Sequence, residues 1–201
     1  MLITDCEQRS DQWWKEKLGK PSSSRFNEIL TASGSVSKQR QGYMYELAAQ
    51  AVSGQIAEKH ISLAMEEGIR REDESRKLYE LITDTEVSQV GMIYPDEQKR
   101  ILCSPDGIIH NEYGLELKNV LPKTQVEYLL ANRLPPKYRL QVQGSLLITG
   151  FDRWDFFSYS PSLPPLILKI ERDEGFIKKL KAELERFTED LALTINRLKE
   201  L

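Results

Sequence analysis

Two carboxylates and one lysine lie close together near the middle of the chain, at Asp106, Glu116 and Lys118. The run Leu-Glu-Leu-Lys that begins at residue 115 alternates apolar and polar side chains, so Glu116 and Lys118 share one face of a predicted strand. The polar residues 111–114 predict a hairpin turn that folds the segment carrying Asp106 back beside this strand. The sequence therefore predicts that two carboxylates and an ammonium group converge on one side of a sheet.

Such a group of side chains could hold a hard divalent cation. Mg²⁺ prefers carboxylate oxygens and keeps several waters in its shell. A cation held there could lower the pKa of a bound water and stabilise charge on a phosphate during in-line displacement. A neighbouring lysine could orient or deprotonate that water and offset the negative charge. The alternative is a solvated hairpin face with an ordinary Glu/Lys pair at i and i+2, and spacing alone leaves both interpretations open.

A third carboxylate, Glu72, lies on a predicted helix from about residue 62 to residue 81. It would stand in the middle of a largely apolar line at helical spacing. The other members of that line are Met65, Ile69, Arg76 and Tyr79. An acidic side chain in such a place is costly to bury unless it is paired or ligates a metal. Glu72 is therefore either a third metal-site carboxylate or the partner of Arg76, one helical turn away.

The elements that would position these residues alternate between helical and strand-like patterns. Predicted helices cover residues 10–18, 25–30, 43–52, 62–81, 124–132, 137–148 and 176–198, and predicted strands cover 87–94, 101–104, 107–109, 115–120, 154–159 and 166–170. Residues 34–42 predict a loop. The last helix carries an apolar stripe from Phe176 to Leu198, expected to be core or a trimer interface. This order predicts a single domain, residues 1–201, of the α/β (α+β) class with a central mixed sheet flanked by helices.

The composition is that of an ordinary globular protein with a mild acidic excess. Hydrophobic residues make up 40% and charged residues 29%, and the net charge is −3. Proteins that bind nucleic acid are usually basic overall, so any contact with DNA must use a local groove of positive charge. Two cysteines, Cys6 and Cys103, are too few for a disulfide framework or a four-thiolate metal site. We expect both to be buried thiols.

At these motifs the sequence resembles the phage lambda exonuclease family, the YqaJ-type viral recombinases, within the PD-(D/E)XK nuclease superfamily. Ser104-Pro105-Asp106-Gly107 and Gly114-Leu115-Glu116-Leu117-Lys118 are similar to that family's Asp…Glu-x-Lys core. The other matching pieces follow in the same order: Trp13 with Lys17-Leu18-Gly19, Ser22-Ser23-Ser24, Gly68 followed by Glu72, and Tyr138-Arg139-Leu140-Gln141 up to Gln143. A lone Glu-x-Lys carries little information, whereas several motifs in order make the resemblance specific.

The resemblance implies a PD-(D/E)XK, restriction-endonuclease-like core with two metal positions. Asp106, Glu116 and the Leu117 carbonyl would ligate Mg²⁺, for which Mn²⁺ could substitute. Glu72 would be the helix carboxylate near the second metal position. The absence of a cysteine cluster speaks against the iron–sulfur nucleases of the same superfamily.

The remaining residues of the implied active site would act on the water and on the carboxylates. Lys118 would position or activate the attacking water. Gln141, with Tyr138 nearby, would support the site, and Tyr138 would also contact the DNA.

The resemblance also implies how a DNA end is held. Ser24, Ser104 and Lys17 match positions that the family uses for a terminal 5′-phosphate. The family has an arginine where this chain has Lys17, so a point charge replaces a bidentate grip there. Trp13 stands at a family-matched position and could stack on an unpaired base or pack on the core. Arg70 could contact the DNA backbone or belong to a solvated helix face.

The activity implied by the resemblance is processive 5′-to-3′ digestion of linear double-stranded DNA, which leaves 3′ single-stranded tails. Family members are similar in forming homotrimeric rings and in working beside a phage single-strand annealing protein. No signal segment or membrane-length apolar run is apparent, so we expect a phage- or prophage-encoded protein in the bacterial cytoplasm with no membrane partner.

Two other functions remain open at this point. The same fold could serve a structure- or site-specific endonuclease, which would cut closed circular duplex. A non-catalytic DNA-binding module would bind DNA after chelation of metal and form no product. The complete Asp/Glu/Lys set speaks against this second alternative.

Overall fold

The computed structural model describes residues 1–56 and 63–201. Its helices are α1 (Asp11–Lys17), α2 (Arg40–Ser53), α3 (Leu63–Arg70), α4 (Glu72–Thr83), α5 (Pro122–Ala131), α6 (Arg139–Thr149) and α7 (Glu174–Lys199). Its strands are β1 (Leu2–Thr4), β2 (Met92–Tyr94), β3 (Gly107–Ile109), β4 (Tyr113–Asn119), β5 (Arg153–Tyr159) and β6 (Leu166–Glu171). Two short 3₁₀ segments occupy Ser23–Glu28 and Pro136–Tyr138.

A mixed sheet in the order β3-β4-β5-β6 forms the centre of the protein, and β1 pairs with β2 beside it. β3 and β4 form an antiparallel hairpin, β4 and β5 run parallel, and β5 and β6 run antiparallel. The parallel pair is joined through α5 and α6, as a crossover requires. Helices therefore flank a mixed sheet, which confirms the predicted fold class.

The β3–β4 hairpin turn confirms the turn predicted between the two strands. His110 and Asn111 adopt φ of 51° and 58°, a left-handed conformation that Asn reaches at lower cost than most residues. The pairing of Gly107 with Leu115 and of Ile109 with Tyr113 follows from this turn. Residue 106 is thereby brought beside the middle of β4.

The two faces of the sheet are covered by different helices. On one face Tyr79 of α4 packs with Leu115, Leu117 and Phe157. The larger core lies on the other side, where α2, α6 and α7 pack around Trp154. α7 buries five residues of its predicted stripe, Phe176, Leu180, Leu184, Phe187 and Leu191. Each apolar side chain of this size contributes roughly 1.5–3 kcal/mol to the free energy of folding when it is fully buried.

The single helix predicted for residues 62–81 is wrong: its described part is divided into α3 and α4 at Arg71, and its predicted start at Ser62 lies outside the described residues. Arg70 ends α3, and the acidic run Glu72-Asp73-Glu74 begins α4. Cations favour helix C-termini and anions favour N-termini, so this order of charges stabilises two helices with a break. Glu72 therefore begins a helix and does not interrupt an apolar line.

Four further predictions need correction. The helix predicted at 25–30 is a 3₁₀ segment that begins at Ser23, and the loop predicted to end at 42 gives way to α2 at Arg40. The predicted strand 87–94 shortens to β2. Residues 101–104 make only isolated bridges, from Leu102 to Ser22 and from Cys103 to Ile93. These bridges join distant segments, which a local period of two does not reveal.

Candidate active site

Glu116 lies in the middle of β4 and is almost completely buried, with 2% of the residue exposed. Lys118 donates a hydrogen bond from Nζ to Glu116 Oε1. The same oxygen accepts a bond of 2.6 Å from Nε2 of Gln141 on α6. A charge is buried at reasonable cost only when such partners are present, so Glu116 is held in one orientation by a strand neighbour and by a helix.

Asp106 lies just before β3 and contacts β4 through the backbone. Its Oδ2 accepts a bond of 2.7 Å from the Leu117 amide, and its own amide donates to the Leu115 carbonyl at 3.2 Å. Burial raises the pKa of the Asp106 carboxyl to about 8, the charge of Glu116 adds to the rise, and Lys118 opposes it. The negative charges of Asp106 and Glu116, the carboxylate pair, thus repel each other.

Lys118 remains positively charged in this environment. Burial alone would lower the pKa of its ammonium group, but the charges of Glu116 and Asp106 outweigh burial and raise it. The Lys118 Nζ also lies 5.2 Å from the centre of the Tyr138 ring. The ring packs on Phe156 at a centroid distance of 5.2 Å. This packing holds the Tyr138 ring in place beside the ammonium group.

Glu72 faces the same region from the start of α4. Its charge adds to the raised pKa of Asp106, and its ion-pair partner Arg9 lines a cleft together with Asp106. Its Oε1 pairs with Nη2 of Arg9 at 2.5 Å. The pairing with Arg76 considered from the sequence is wrong, because Arg76 bonds to Asp73 at 3.2 Å.

The carboxylates of Asp106, Glu116 and Glu72 are chemically suited to bind a divalent cation. Within the described residues, no three acidic, His or Cys side chains already surround one point closely enough to hold a metal. In the structure the Glu116 carboxylate forms an ion pair with Lys118, and the Glu72 carboxylate forms one with Arg9. A bound cation would, however, offset both the burial and the Glu116 charge that raise the pKa of Asp106. Carboxylate oxygens are also the ligands that Mg²⁺ prefers.

A small cleft of about 140 Å³, the serine cleft, opens next to Asp106. It is lined by Gln8, Arg9, Trp13, Lys17, Ser22, Ser23, Ser24, Ser104 and Asp106. Its volume lies well below the roughly 300–1,000 Å³ of small-molecule sites, and it suits a single phosphate group. Of the residues assigned to a DNA end, the structure gathers Lys17, Ser24, Ser104 and Trp13 here.

Hydrogen bonds fix the wall of the serine cleft. Ser104 Oγ donates to the Gly91 carbonyl at 2.6 Å and accepts from Trp13 Nε1 at 3.0 Å. Lys17 Nζ lies 4.5 Å from the centre of the Trp13 ring. Trp13 is buried, so it supports Ser104 and Lys17, while its neighbour Trp14 is exposed.

Two of the residues assigned to DNA binding, Arg70 and Tyr138, do not line the serine cleft. Arg70 is exposed, pairs with Glu67 and is absent from the lining of the serine cleft. Gln8 and Arg9, in contrast, line the cleft although neither was among the residues singled out from the sequence. No local period or spacing marks them; they reach the cleft because Gln8 Nε2 bonds to the Pro105 carbonyl at 2.7 Å.

Cys6 and Cys103 are both buried free thiols, as predicted. Burial raises the pKa of Cys103 well above its ordinary value, so this thiol stays protonated and serves only to pack the core. No helix in the described part of the chain has the length and apolar character needed to cross a membrane.

A mixed sheet between helices, with an acidic pair and a lysine at its β3–β4 hairpin, is the arrangement typical of the PD-(D/E)XK nuclease class. The family model of the YqaJ-like viral recombinase domain matches residues 12–152. The chain therefore belongs to the YqaJ-like viral recombinase family, which confirms the resemblance drawn from its motifs. No curated protein matches the chain by sequence.

Solved structures agree with this assignment. The chain is similar to the crystal structure of the alkaline exonuclease LHK-Exo from Laribacter hongkongensis, at 30% identity, 95% coverage of this chain, 97% of that chain and a TM-score of 0.86. The complex of LHK-Exo with dAMP matches at 29% identity, the same coverage and the same TM-score. A phage-related exonuclease from Haemophilus somnus shares the fold at 14% identity, with 89% and 96% of the two chains covered and a TM-score of 0.67. The prediction of a nuclease is confirmed at the level of the family.

Proposed function

We propose that this protein is a metal-dependent exonuclease that digests double-stranded DNA from its 5′ ends. The observation that carries the proposal is the position of Asp106, which belongs to the carboxylate pair and also lines the serine cleft. A phosphate held in the cleft would therefore lie beside the groups suited to metal. The likeness to an alkaline exonuclease, which has been solved with dAMP, supports this proposal.

Asp106, Glu116, the Leu117 carbonyl and Glu72 are the groups that would hold two Mg²⁺ ions, or Mn²⁺ in their place. A divalent ion bound here supplies a water of lowered pKa and stabilises negative charge on the phosphate. Gln141 holds the Glu116 carboxylate in one orientation through its 2.6 Å bond. The backbone amide of Leu117 does the same for Asp106.

Lys118 would orient the attacking water and stabilise charge that develops on the phosphate. Its raised pKa keeps the ammonium group protonated, which favours these tasks over removal of a proton from the water. Preorganised positive charge of this kind typically accounts for about 100- to 1,000-fold in rate. Tyr138 limits the directions in which the ammonium group can move.

The serine cleft would select the end of the strand. Ser24 and Ser104 offer hydroxyl groups, and Lys17 a positive charge, to a terminal 5′-phosphate. Trp13 would hold Ser104 and Lys17 in place by the contacts described above. Arg70, on the exposed end of α3, would contact the DNA backbone outside the cleft.

The assembly and its biological setting complete the proposal. A single domain of 201 residues cannot encircle a duplex, so processive digestion would require a ring, which we propose is a homotrimer. The product with 3′ tails would pass to a phage single-strand annealing protein in the bacterial cytoplasm. Light scattering at working concentration tests the trimer independently of the chemistry.

Digestion of linear and covalently closed circular duplex with Mg²⁺ tests the activity. We expect 5′-end-labelled linear DNA to release labelled mononucleotide while circles stay intact. Asp106→Ala and Lys118→Ala should lose at least about 100-fold in rate, and Arg186→Ala, on the exposed side of α7, should retain full activity. Equal rates in all four proteins would contradict the proposed site, and cutting of circles would indicate an endonuclease.

A further inference from the structure

Arg9 brings a guanidinium group to the serine cleft. The ammonium group of Lys17 is a compact charge. A guanidinium, in contrast, donates two parallel hydrogen bonds that match the oxygens of a phosphate. Among the described residues that line the cleft, Arg9 is the one with this geometry. It lines the same cleft as Asp106.

The backbone on both sides of Arg9 is held in place. Gln8 bonds through its side chain to the Pro105 carbonyl, directly before Asp106. Ser10 is the N-cap of α1. Between them Arg9 adopts φ of 66°, a left-handed conformation that suits glycine better than a long side chain. A side chain kept at a strained position beside a cleft points to a use for that side chain.

The partner of Arg9 in the DNA-free structure is Glu72. The two groups are 2.5 Å apart, with side chains 41% and 21% exposed. Ion pairs this open to solvent contribute little to stability, so they exchange partners readily. A terminal phosphate carries more negative charge than a carboxylate and offers more acceptor oxygens, and it would compete well for the guanidinium.

We propose that Arg9 is a specificity residue that binds the terminal 5′-phosphate of DNA by exchanging Glu72 for the phosphate. The guanidinium supplies the bidentate contact that Lys17 does not make, and its release frees the Glu72 carboxylate on the side of Asp106. The inference rests on the proposed function and adds to it a residue and a partner exchange.

The exchange predicts opposite effects for the two halves of the ion pair. Arg9→Gly removes the phosphate contact while leaving a residue that adopts the left-handed backbone without strain, so the fold is kept. Glu72→Gln removes the competitor and leaves Arg9 available. If Arg9 and Glu72 only stabilised each other, both substitutions would change end binding in the same direction.

Binding of a short duplex with 5′-phosphate ends, compared with the same duplex with 5′-hydroxyl ends, tests this by fluorescence anisotropy in EDTA. We expect the wild-type protein to prefer the phosphorylated duplex by about tenfold or more, as a charge-assisted bidentate contact provides. Arg9→Gly should abolish the preference, Arg9→Lys should retain part of it, and Glu72→Gln should increase it. Arg186→Ala is the matched arginine control and should equal the wild type.

Three results would overturn the inference while leaving the proposed function intact, provided that the wild-type protein digests linear duplex with Mg²⁺. They are an equal affinity of wild type for both duplexes, an unchanged preference in Arg9→Gly, and a loss of preference in both Arg9→Gly and Glu72→Gln. A wild-type protein that digests no DNA in that parallel assay would overturn the proposed function, and the inference with it.

Discussion

Gln141 and Glu116 are joined by a 2.6 Å hydrogen bond between α6 and β4. It ends on the oxygen that also accepts from Lys118. Because Glu116 is buried, water cannot replace either donor. The orientation of the carboxylate pair therefore depends on a helix that packs on the sheet as well as on the hairpin that carries the pair.

Removal of this bond should reduce activity more than stability. For Gln141→Ala we expect kcat/KM to fall about 10- to 100-fold through weaker metal binding, as is typical when a partner of a metal ligand is lost. Steady-state kinetics at several Mg²⁺ concentrations measures this. Gln143→Ala is the control: Gln143 bonds to backbone groups of Glu171 and Asp173, so it should lose stability and keep its Mg²⁺ dependence. Wild-type kinetics in Gln141→Ala would contradict the positioning role.

Metal binding should release a proton at neutral pH. Burial, with the added charge of Glu116, raises the pKa of Asp106 to about 8, so a cation must displace the proton below that pH. We expect Mg²⁺ affinity to increase by up to about tenfold per pH unit towards pH 8 and to level off above it. Calorimetry in buffers of different ionisation enthalpy counts the protons. Asp106→Asn should release none, and a pH-independent wild-type affinity would contradict the prediction.

The metal-free protein should lose stability as the pH rises from about 4 to about 8. The unfolded carboxyl has a pKa of about 3.9 and the folded one a raised pKa, so the folded state binds the proton more tightly and its advantage disappears on deprotonation. The pKa of Lys118 is also raised, so Lys118 titrates above the range of pH 4 to 8. Urea unfolding in EDTA at several pH values measures the slope. A parallel slope in Asp106→Asn would show that another group is responsible.

On the opposite face of the sheet, Tyr79 should matter for stability and not for catalysis. Its hydroxyl donates to Asp155 at 2.7 Å, and Arg153 donates two more bonds to this fully buried carboxylate. Tyr79→Phe leaves Asp155 with one donor fewer, and we expect it to cost about 1–3 kcal/mol in the free energy of unfolding. Tyr45→Phe, at an exposed position, should cost little. A large loss of activity per folded Tyr79→Phe molecule would contradict this separation.

Local patterns in the sequence were sufficient to bring together the three side chains at the centre of the candidate site, while spacing alone left open whether they hold a metal. A period of two places Glu116 and Lys118 on one strand face, and a tight turn brings Asp106 beside them, because both effects act over a few residues. The 3.6-residue period predicted α7 in the same way. Gln141, Ser24 and Lys17 came from the family resemblance, since no local period marks them.

The tertiary structure decided the surroundings of Asp106, Glu116 and Lys118. The sequence by itself determined the mixed α/β fold, the hairpin and the convergence of these three side chains. Each of these features follows from patterns among residues that are near one another in the chain. Only the fold showed that α3 and α4 are separate and that Glu72 bonds to Arg9, 63 positions away. It also showed that the serine cleft meets the carboxylate pair at Asp106. Contacts between distant segments depend on how helices and strands pack, and periodicity along the chain carries no information about that packing.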